Sequence, residues 1–493
     1  MENGRQNGRH LKQIFSNDSL MRKKTVRLFH PEVCRHSKNI TFEECELAVL
    51  RQAVDENEKH RELKHRNFDE MQKLVRIVED FVVARKLLCY GGTAINNILP
   101  ESAQFYSKER DIPDYDFFSP NAMADAKKLA DLYVRNGYVH VEAKSGLHYG
   151  TYKVFVNYIP MADVTQIHPG LFRLLVKHSI IVAGIRYAPP DFLRMSMYLE
   201  LSRPEGDLSR WEKVLKRLTL LNKYHPIQAP TDVKCADLIF QRPMETSIEN
   251  ADQIFDILRN VFIDFDVVFF GGYANALYAN HRRHKNPDFY VLCEDPDRCA
   301  TILTEHLTEA GISNVSFHKH DAIGELIPES LECKVGTDTV AFLFKPIACH
   351  NYNTITIDRR KIRVATIDTI LSFYLAFLYV DDPMFTPFRN RHMCLANFLF
   401  ELEEKNRLAQ KGLLRRFTPK CYGQQETLES IRAKKAEKFA LLKTKRDSRE
   451  YQEWFLNYRP YNADPAAATP TKTKTVKSRP RTPTPTSWNP FFG

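Results

Sequence analysis

At 493 residues, 43% hydrophobic and 27% charged, the chain has the composition of an ordinary soluble globular protein with room for two or three domains. No run of about 18 apolar residues is present, which excludes a membrane-spanning helix, and the polar start MENGRQNGRHLKQIF offers no apolar signal core. A net charge of +10 admits an anionic partner, and ten cysteines without a CxxC pair are expected to be reduced, mostly buried thiols, not a disulfide framework or a zinc site.

In chain order, residues 1–60 read as a polar, helix-prone lead-in whose first thirty residues are mostly basic in their charges. Asp69–Arg85 follows as an amphipathic helix, with Met71, Leu74, Val75, Ile77, Val78 and Phe81 on one face. The apolar run Phe81–Tyr90 then meets Gly91–Gly92, and TAINNIL begins a further helix. Glycines at such a turn let the backbone pass close to a ligand, and the N–H groups of the helix start, Thr93 among them, suit phosphate oxygens. A tight turn without ligand is the plain alternative, since short glycine motifs are unspecific. Next, IPDYDFF (112–118) places Asp114 and Asp116 two residues apart in an apolar setting, and KVFVNYIPMADVTQI (153–167) ends an alternating strand on Asp163. Residues 200–226 form a helical connector. Ser209 and Glu212 have capping-box spacing, so its helix is predicted to start at Ser209. Its apolar stripe is Trp211, Val214, Leu215, Leu218 and Leu221, and Arg210, Lys213 and Arg217 cluster on one flank. Ala251–Val261 repeats the amphipathic helix, and residues 366–460 read as mostly helical.

The chain contains itself twice. LLCYGGTAINNIL (87–99) is echoed by VVFFGGYANALYA (267–279), IPDYDFF by NPDFYVL (286–292), and KVFVNYIPMADVTQI by TVAFLFKPIACHNYN (339–353). Three landmarks in one order, at a shift of about 175–190 residues, predict two copies of one α/β unit with helices after each. The implied domains are a lead-in over 1–60, a first unit over 61–226, a second over 227–400, a basic helical region over 401–463 and a disordered basic tail over 464–493. The tail is Pro/Thr/Lys-rich and cannot bury a core.

On a strand, residues two apart project to one face, so Asp114 and Asp116 converge. Two like charges that close are costly unless a cation or shared proton neutralises them. With Asp163 they make the hard-ligand set that a pair of Mg²⁺ or Mn²⁺ ions needs, one ion on an attacking hydroxyl and one on a triphosphate. A solvated acidic strand end is the bland alternative. In the second copy Asp114 is matched by Asp288, Asp116 by Tyr290 and Asp163 by Cys349, so that copy is not expected to hold the metals. The basic flank Arg210, Lys213 and Arg217 is placed to hold a triphosphate or is simply solvated, and Lys153 is a further candidate phosphate contact. His148 reads as structural or substrate-facing. HRRH (281–284) and HKHD (318–321) read as polar loops. Residues 427–446 pair Leu428, Ile431, Phe439 and Leu442 with seven basic residues, a pattern for packing on the body while offering RNA a basic face.

A Gly-Gly turn between strand and helix, then hDhDh, then a later strand Asp, resembles the polymerase-β-like nucleotidyltransferase superfamily. CYGGTAINNIL, DIPDYDFFSP, GTYKVFVNYIPMADVT and YLELSRPEGDLSRWEKVLKRLTLLN are similar to the poly(A) polymerase catalytic subunit family of poxviruses and giant, Mimivirus-like viruses. The resemblance spans roughly residues 69–400 and is densest over 87–226. It implies an α/β (α+β) fold of two tandem nucleotidyltransferase-like domains, the second degenerate. It makes Asp114, Asp116 and Asp163 the catalytic metal ligands and sets Gly91, Gly92 and Thr93 beside the nucleotide phosphates. It further implies a magnesium- or manganese-dependent transfer of AMP from ATP to RNA 3′ ends, in a viral protein of the host cytoplasm or virion that works with a processivity partner. The duplicated domain and the long helical C-terminal part point to a homodimer as the other expectation. Addition of another base (oligo(U) or CCA) and a non-catalytic RNA scaffold are the rival readings. About two dozen residues separate Gly91 from Asp114, more than in minimal members, and the loop ILPESAQFYSKERDI has no assigned role.

Overall fold

The computed structural model describes residues 41–64, 68–106, 113–235, 250–279, 288–324, 326–380 and 383–460. Met1–Lys73 and Leu74–Gly493 form separate compact units. The first contains helix α1 (Phe42–Lys64), started by a capping box in which Thr41 and Glu44 exchange side-chain-to-backbone hydrogen bonds of 2.8 and 3.2 Å. Helix α2 (Phe68–Arg85) crosses the boundary in sequence and buries Leu74, Val78, Phe81 and Val82, the face its periodicity predicts.

In the second unit the chain runs β1 (Leu88–Tyr90), α3 (Gly91–Ile98), β2 (Tyr115–Ser119), α4 (Ala122–Arg135), β3 (Val141–Ser145), β4 (Thr151–Val156) and β5 (Ile159–Gln166). Then come α5 (Pro169–Lys177), β6 (Ile180–Val182), β7 (Ile185–Tyr187), α6 (Pro190–Leu201) and α7 (Trp211–Tyr224). The sequence of elements then repeats: α8 (Ala251–Asp264), β8 (Val268–Phe270), α9 (Gly272–Tyr278), β9 (Phe289–Leu292), α10 (Pro296–Glu309), β10 (Val315–His320), β11 (Ser330–Val335) and β12 (Asp338–Phe344). It continues through β13 (His350–Ile357), β14 (Arg360–Ala365), α11 (Ile367–Phe377) and α12 (Arg389–Lys405). The C-terminal part adds β15 (Cys421–Tyr422), α13 (Leu428–Leu442), α14 (Arg449–Phe455) and β16 (Asn457–Tyr458).

The duplication holds strand for strand. One sheet has the order β16-β3-β4-β5-β2-β1-β7-β6 and the other β10-β11-β12-β9-β8-β14-β13-β15. Without the two C-terminal strands the orders are identical, and so are the pairing directions: β2 runs parallel to β5 as β9 does to β12. In the second sheet the central strands β8 and β9 are apolar and buried throughout, as expected for strands covered on both faces. Among the described residues the fold is therefore the expected mixed α/β architecture, with a helical C-terminal part. Residues 464–493, expected to be disordered, and HRRH lie outside the described residues.

Several expectations change. Helix α7 starts at Trp211 and not at Ser209, because Asp207 accepts the Ser209 N–H at 3.1 Å and a short 3₁₀ turn over Leu208–Arg210 precedes the helix. HKHD lies mostly on strand β10, where His320 is 2.9 Å from Glu332, so it is not a loop. Helix α13 is not packed by an apolar stripe: Leu428 and Phe439 are exposed, and only Leu442 is buried. The C-terminal segment is also no separate layer, because β15 completes one sheet and β16 the other. Finally, Cys235–Cys394 and Cys349–Cys421 form disulfides across 159 and 72 residues, while Cys89, Cys293, Cys299 and Cys333 are buried thiols. Such distant partners leave no spacing signature for sequence reading to find. Glu205, Cys349 and Cys421 bring ligand atoms within 4.8 Å of one another, but both sulfurs are committed to the disulfide.

The two copies meet where α6 packs on α11, and a buried polar chain crosses that contact. Arg416 makes a two-pronged contact with Asp368 at 2.9 and 2.6 Å and reaches Glu403 at 2.6 Å. Tyr198 of α6 donates to Glu403 at 3.1 Å, and Asn222 of α7 links Tyr198 to Arg194. Burial, with Asp368 adding to it against Arg416, pushes the Glu403 carboxyl up to about 7. Removing one partner of such a network strands the others, so Arg416→Met should cost about 3–5 kcal/mol of unfolding free energy. Because the Glu403 pKa is raised on folding, ionising it opposes stability as pH climbs toward 7. The deficit of Arg416→Met should therefore be smaller at pH 5 than at pH 8 in urea denaturation.

Candidate active site

The site is built on the strand-to-helix turn at β1–α3. Gly91 has φ +72°, a conformation costly for any residue with a Cβ, and a Cβ placed there would lie 2.5 Å from Asp116 Oδ2. The glycine thus lets the Asp116 carboxylate press against the start of α3. No side chain caps that helix start. A Cβ on Gly92 would lie 2.8–3.0 Å from the Arg217 guanidinium, so Arg217 lies directly over the turn. Thr93 uses its hydroxyl differently from expectation: it donates to the Asp114 carbonyl at 2.6 Å and so fixes the entry to β2.

The parallel pairing of β2 and β5 sets Asp116 directly opposite Asp163. Asp114, just before β2, is exposed, Asp116 half-buried and Asp163 buried. Burial raises the Asp116 carboxyl well above the usual carboxylate range, with the Asp114 and Asp163 charges adding to it against Lys153 and Arg210. Burial likewise raises Asp163, opposed by Lys153 and reinforced by Asp114. The three carboxylates therefore feel one another, as the sequence predicts. Lys153, read as a phosphate contact, is committed to Asp163 by a short ion pair across the β4–β5 ladder.

The basic flank of α7 faces the same place. Burial lowers the Lys213 ammonium, Arg217 and Arg210 lower it further, and Asp114 and Glu200 pull the other way. Arg210 is held by Glu200 at 3.0 Å. Arg217 is held by residues that sequence reading left unassigned: it donates to the Tyr106 hydroxyl and sits 5.1 and 5.6 Å from the Phe105 and Tyr106 ring centroids. Asn96 ties that aromatic pair down by accepting both of their N–H groups at 2.8 Å. The FY dipeptide in the long loop was the one available signal, and it carries no periodicity. His148 lies within the field of Lys153, Lys435 and Arg210, and burial together with those charges lowers its imidazole pKa.

The second copy keeps the geometry and loses the acids. A Cβ on Gly271 would lie 2.8 Å from Tyr290 Cβ, so Tyr290 stands where Asp116 stands. Its partner across β9–β12 is Phe342, so the counterpart of Asp163 is Phe342 and not Cys349. The sequence echo is slipped by one strand: Cys349 lies beyond β12, tied to Cys421. Asp288 survives but is bound at 2.6 Å by Arg391, both nearly fully buried. Arg391 is the third residue of α12, as Lys213 is of α7, so an internal guanidinium neutralises this carboxylate.

The fold is a duplicated mixed α/β unit in which one copy carries the carboxylate set. Residues 76–207 match the family described as "Poly(A) polymerase catalytic subunit", so the resemblance read from the motifs is borne out over the acid-bearing copy. The chain is 29% identical over 261 residues, 52% of its length, to a "Putative poly(A) polymerase catalytic subunit" of African swine fever virus (a Malawi tick isolate), covering 48% of that relative. It is also 29% identical over 164 residues, 32% of its length, to a protein of the same name from Acanthamoeba polyphaga mimivirus, covering 27% of it. The chain thus spans half or less of the length of the curated relatives it matches. The crystal structure of the Megavirus polyadenylate synthase shares the fold, with a TM-score of 0.68 at 17% identity over 84% of this chain and 86% of that one.

The two glycines should respond differently to alanine. Gly91→Ala drives a methyl into Asp116 and into a left-handed backbone that costs an L-residue roughly 1–2 kcal/mol, so metal binding should be lost with a modest loss of stability. Gly92→Ala displaces only the flexible end of Arg217. The chain should fold normally, bind Mn²⁺ normally and lose about tenfold in nucleotide affinity, as one charge-assisted contact predicts. Paired Mn²⁺ and nucleotide titrations of the two variants check this.

Proposed function

We propose that the chain is a template-independent polynucleotide adenylyltransferase that adds AMP from ATP to RNA 3′ ends. The observation that carries this reading is the Asp116–Asp163 pair across β2 and β5, with Asp114 beside it and Arg217 over the Gly91–Gly92 turn. The family match over residues 76–207 supports the base and the acceptor. Oxygen-only donors that burial and mutual repulsion hold above their usual pKa suit hard divalent cations, Mg²⁺ or Mn²⁺. Asp114, Asp116 and Asp163 would hold two such ions, which lower the pKa of the attacking 3′-hydroxyl and offset the charge of the triphosphate.

The chain's own residues do the rest. The bare N–H groups at the start of α3 and the cations Arg217 and Lys213 would orient the triphosphate, and Arg217 is pre-set for it by Tyr106 and Phe105. Attack of the RNA 3′-oxygen on the α-phosphorus forms the new phosphodiester and releases pyrophosphate. Arg210, bound to Glu200, would shape the edge of the basic flank. The second copy, its one acid sealed by Arg391, would serve as scaffold and brace. Action in the host cytoplasm, at a viral factory or from the virion, and operation as a homodimer or with a processivity partner, belong to the same reading.

The test is primer extension on a short RNA with each nucleoside triphosphate in turn. ATP-selective extension should fall by on the order of a hundred- to a thousandfold in Asp114→Ala, Asp116→Ala or Asp163→Ala. Extension with another base would keep the mechanism and move the specificity. No extension with RNA binding intact would favour a scaffold. A second outcome follows from the raised Asp116 and Asp163 pKa values. The native state then binds more protons than the unfolded chain above the ordinary carboxylate range, so metal-free stability should fall as pH rises through it. Mn²⁺ should restore that stability. Asp116→Asn should raise the metal-free melting temperature at neutral pH and abolish the Mn²⁺-induced gain, readable by calorimetry.

A further inference from the structure

A single side chain straps together the three strands that carry the glycine turn and two of the acids. Tyr90 is the last residue of β1, directly before Gly91–Gly92, and its register partner is Asp116. Its hydroxyl reaches past β2 to β5, where it lies 2.9 Å from Thr165 Oγ1, a span of two inter-strand steps or roughly 10 Å. On the way the phenol ring stacks on Phe118 of β2, with centroids 3.8 Å apart and planes 8° from parallel. Thr165 is paired in turn with Thr151 of β4 at 3.1 Å, so three hydroxyls form one chain. Opposed residues share a face, and so do residues two apart on a strand. Tyr90 stands opposite Asp116, Thr165 lies two beyond Asp163, and Thr151 two before Lys153. The chain therefore runs along the acid face, beside the carboxylates. Burial first, and then the Asp116 charge, raise the phenol pKa, which keeps a neutral hydroxyl there.

The second copy supplies an internal control. Phe270 stands where Tyr90 does, because it faces Tyr290 as Tyr90 faces Asp116. Phe344, two residues beyond Phe342, takes the place of Thr165, and Ser330 that of Thr151. Phe270 packs against Phe344 and Tyr290 with centroids 5.4 and 5.6 Å apart. Ser330 Oγ is buried and has no hydrogen-bond partner among the described residues. Strand order and the close glycine approach persist in that copy without the phenol or the threonines. The fold does not need the hydroxyl chain. It goes with the acids.

We propose that Tyr90 is a positioning residue for a divalent-cation pair, acting through Thr165 to hold the Gly91 turn, Asp116 and Asp163 in fixed relation. Bare carboxylates repel one another and gain by spreading apart, whereas an ion binds more tightly to ligands already converged. A phenol anchored on the far strand resists that spreading where β1 and β2 meet the turn. The inference deepens the adenylyltransferase reading and rests on its assignment of the three acids as metal ligands.

Tyr90→Phe removes the hydroxyl and keeps the ring, and Thr165 retains Thr151 as a partner, so no buried hydroxyl is stranded. Calorimetric titration of Mn²⁺ into this metal-free variant should show binding about tenfold weaker than wild type, the usual effect of losing a residue that steadies a ligand. Thr165→Val should lose as much, while Thr165→Ser, which keeps the hydroxyl, should bind Mn²⁺ as the wild type does. If one bond carries the effect, Tyr90→Phe/Thr165→Val should be no weaker than either single variant, whereas independent effects would multiply to about a hundredfold. Wild-type affinity in both single variants, or a multiplied loss in the double, would overturn the proposal. So would a loss confined to the metal-free melting temperature, which marks a brace of the fold alone. Should Tyr90→Phe not fold, Thr165→Ser against Thr165→Val decides, and equal Mn²⁺ affinity in those two sinks the idea. Primer extension separates the strap from the parent reading. A wild type that extends RNA while every variant binds Mn²⁺ equally well defeats only the strap. The expected Mn²⁺ losses beside a wild type unable to extend RNA defeat the polymerase and leave the strap standing. A wild type that binds no Mn²⁺ defeats both.

Discussion

A buried cluster around one guanidinium underlies the contact between the two copies. Arg416 lies buried between Asp368 and Glu403, and Glu403 in turn accepts from Tyr198 of the other copy. Burying charged groups costs several kcal/mol per ion unless geometry and hydrogen bonds compensate, and here a two-pronged contact and a phenol supply the compensation. The chain of bonds continues through Asn222 into α7. The helix that carries Lys213 and Arg217 is thereby anchored to the second copy. The second copy is thereby the abutment for the basic flank.

The second copy keeps the framework of the first with other residues at the acid positions. Topology, register and the close glycine approach all persist, with an aromatic ring in place of a carboxylate at each of two positions. The remaining Asp288 is met by Arg391 at the helix position that Lys213 holds in the first copy. Cation and anion that stand apart around an open site in one half have closed on each other in the other. The closed pair is a structural bond. The open one can be spent on a substrate.

Much of this was legible. Hydrophobic periodicity located α2 and α8, the repeat disclosed the duplicated fold, and alternation around Tyr115 placed Asp114 and Asp116 before a strand pairing was known. Local rules did well there because period and turn chemistry are properties of a few consecutive residues. They failed where distant residues decide. The Ser209–Glu212 capping spacing lost to Asp207, and the apparent match of Asp163 to Cys349 slipped by one strand because successive strands look alike in composition.

The sequence by itself therefore determined most element types, the duplication and the three candidate acids, since each is written in neighbouring residues or in an internal comparison. Only the tertiary structure decided that Asp163 stands opposite Asp116, that Tyr106 steadies Arg217, and that residues near 457 edge the sheet bearing the carboxylates. Those facts are relations between residues separated by tens to hundreds of positions. No local pattern encodes them, because they exist only once strand register and helix packing bring the partners within bonding distance.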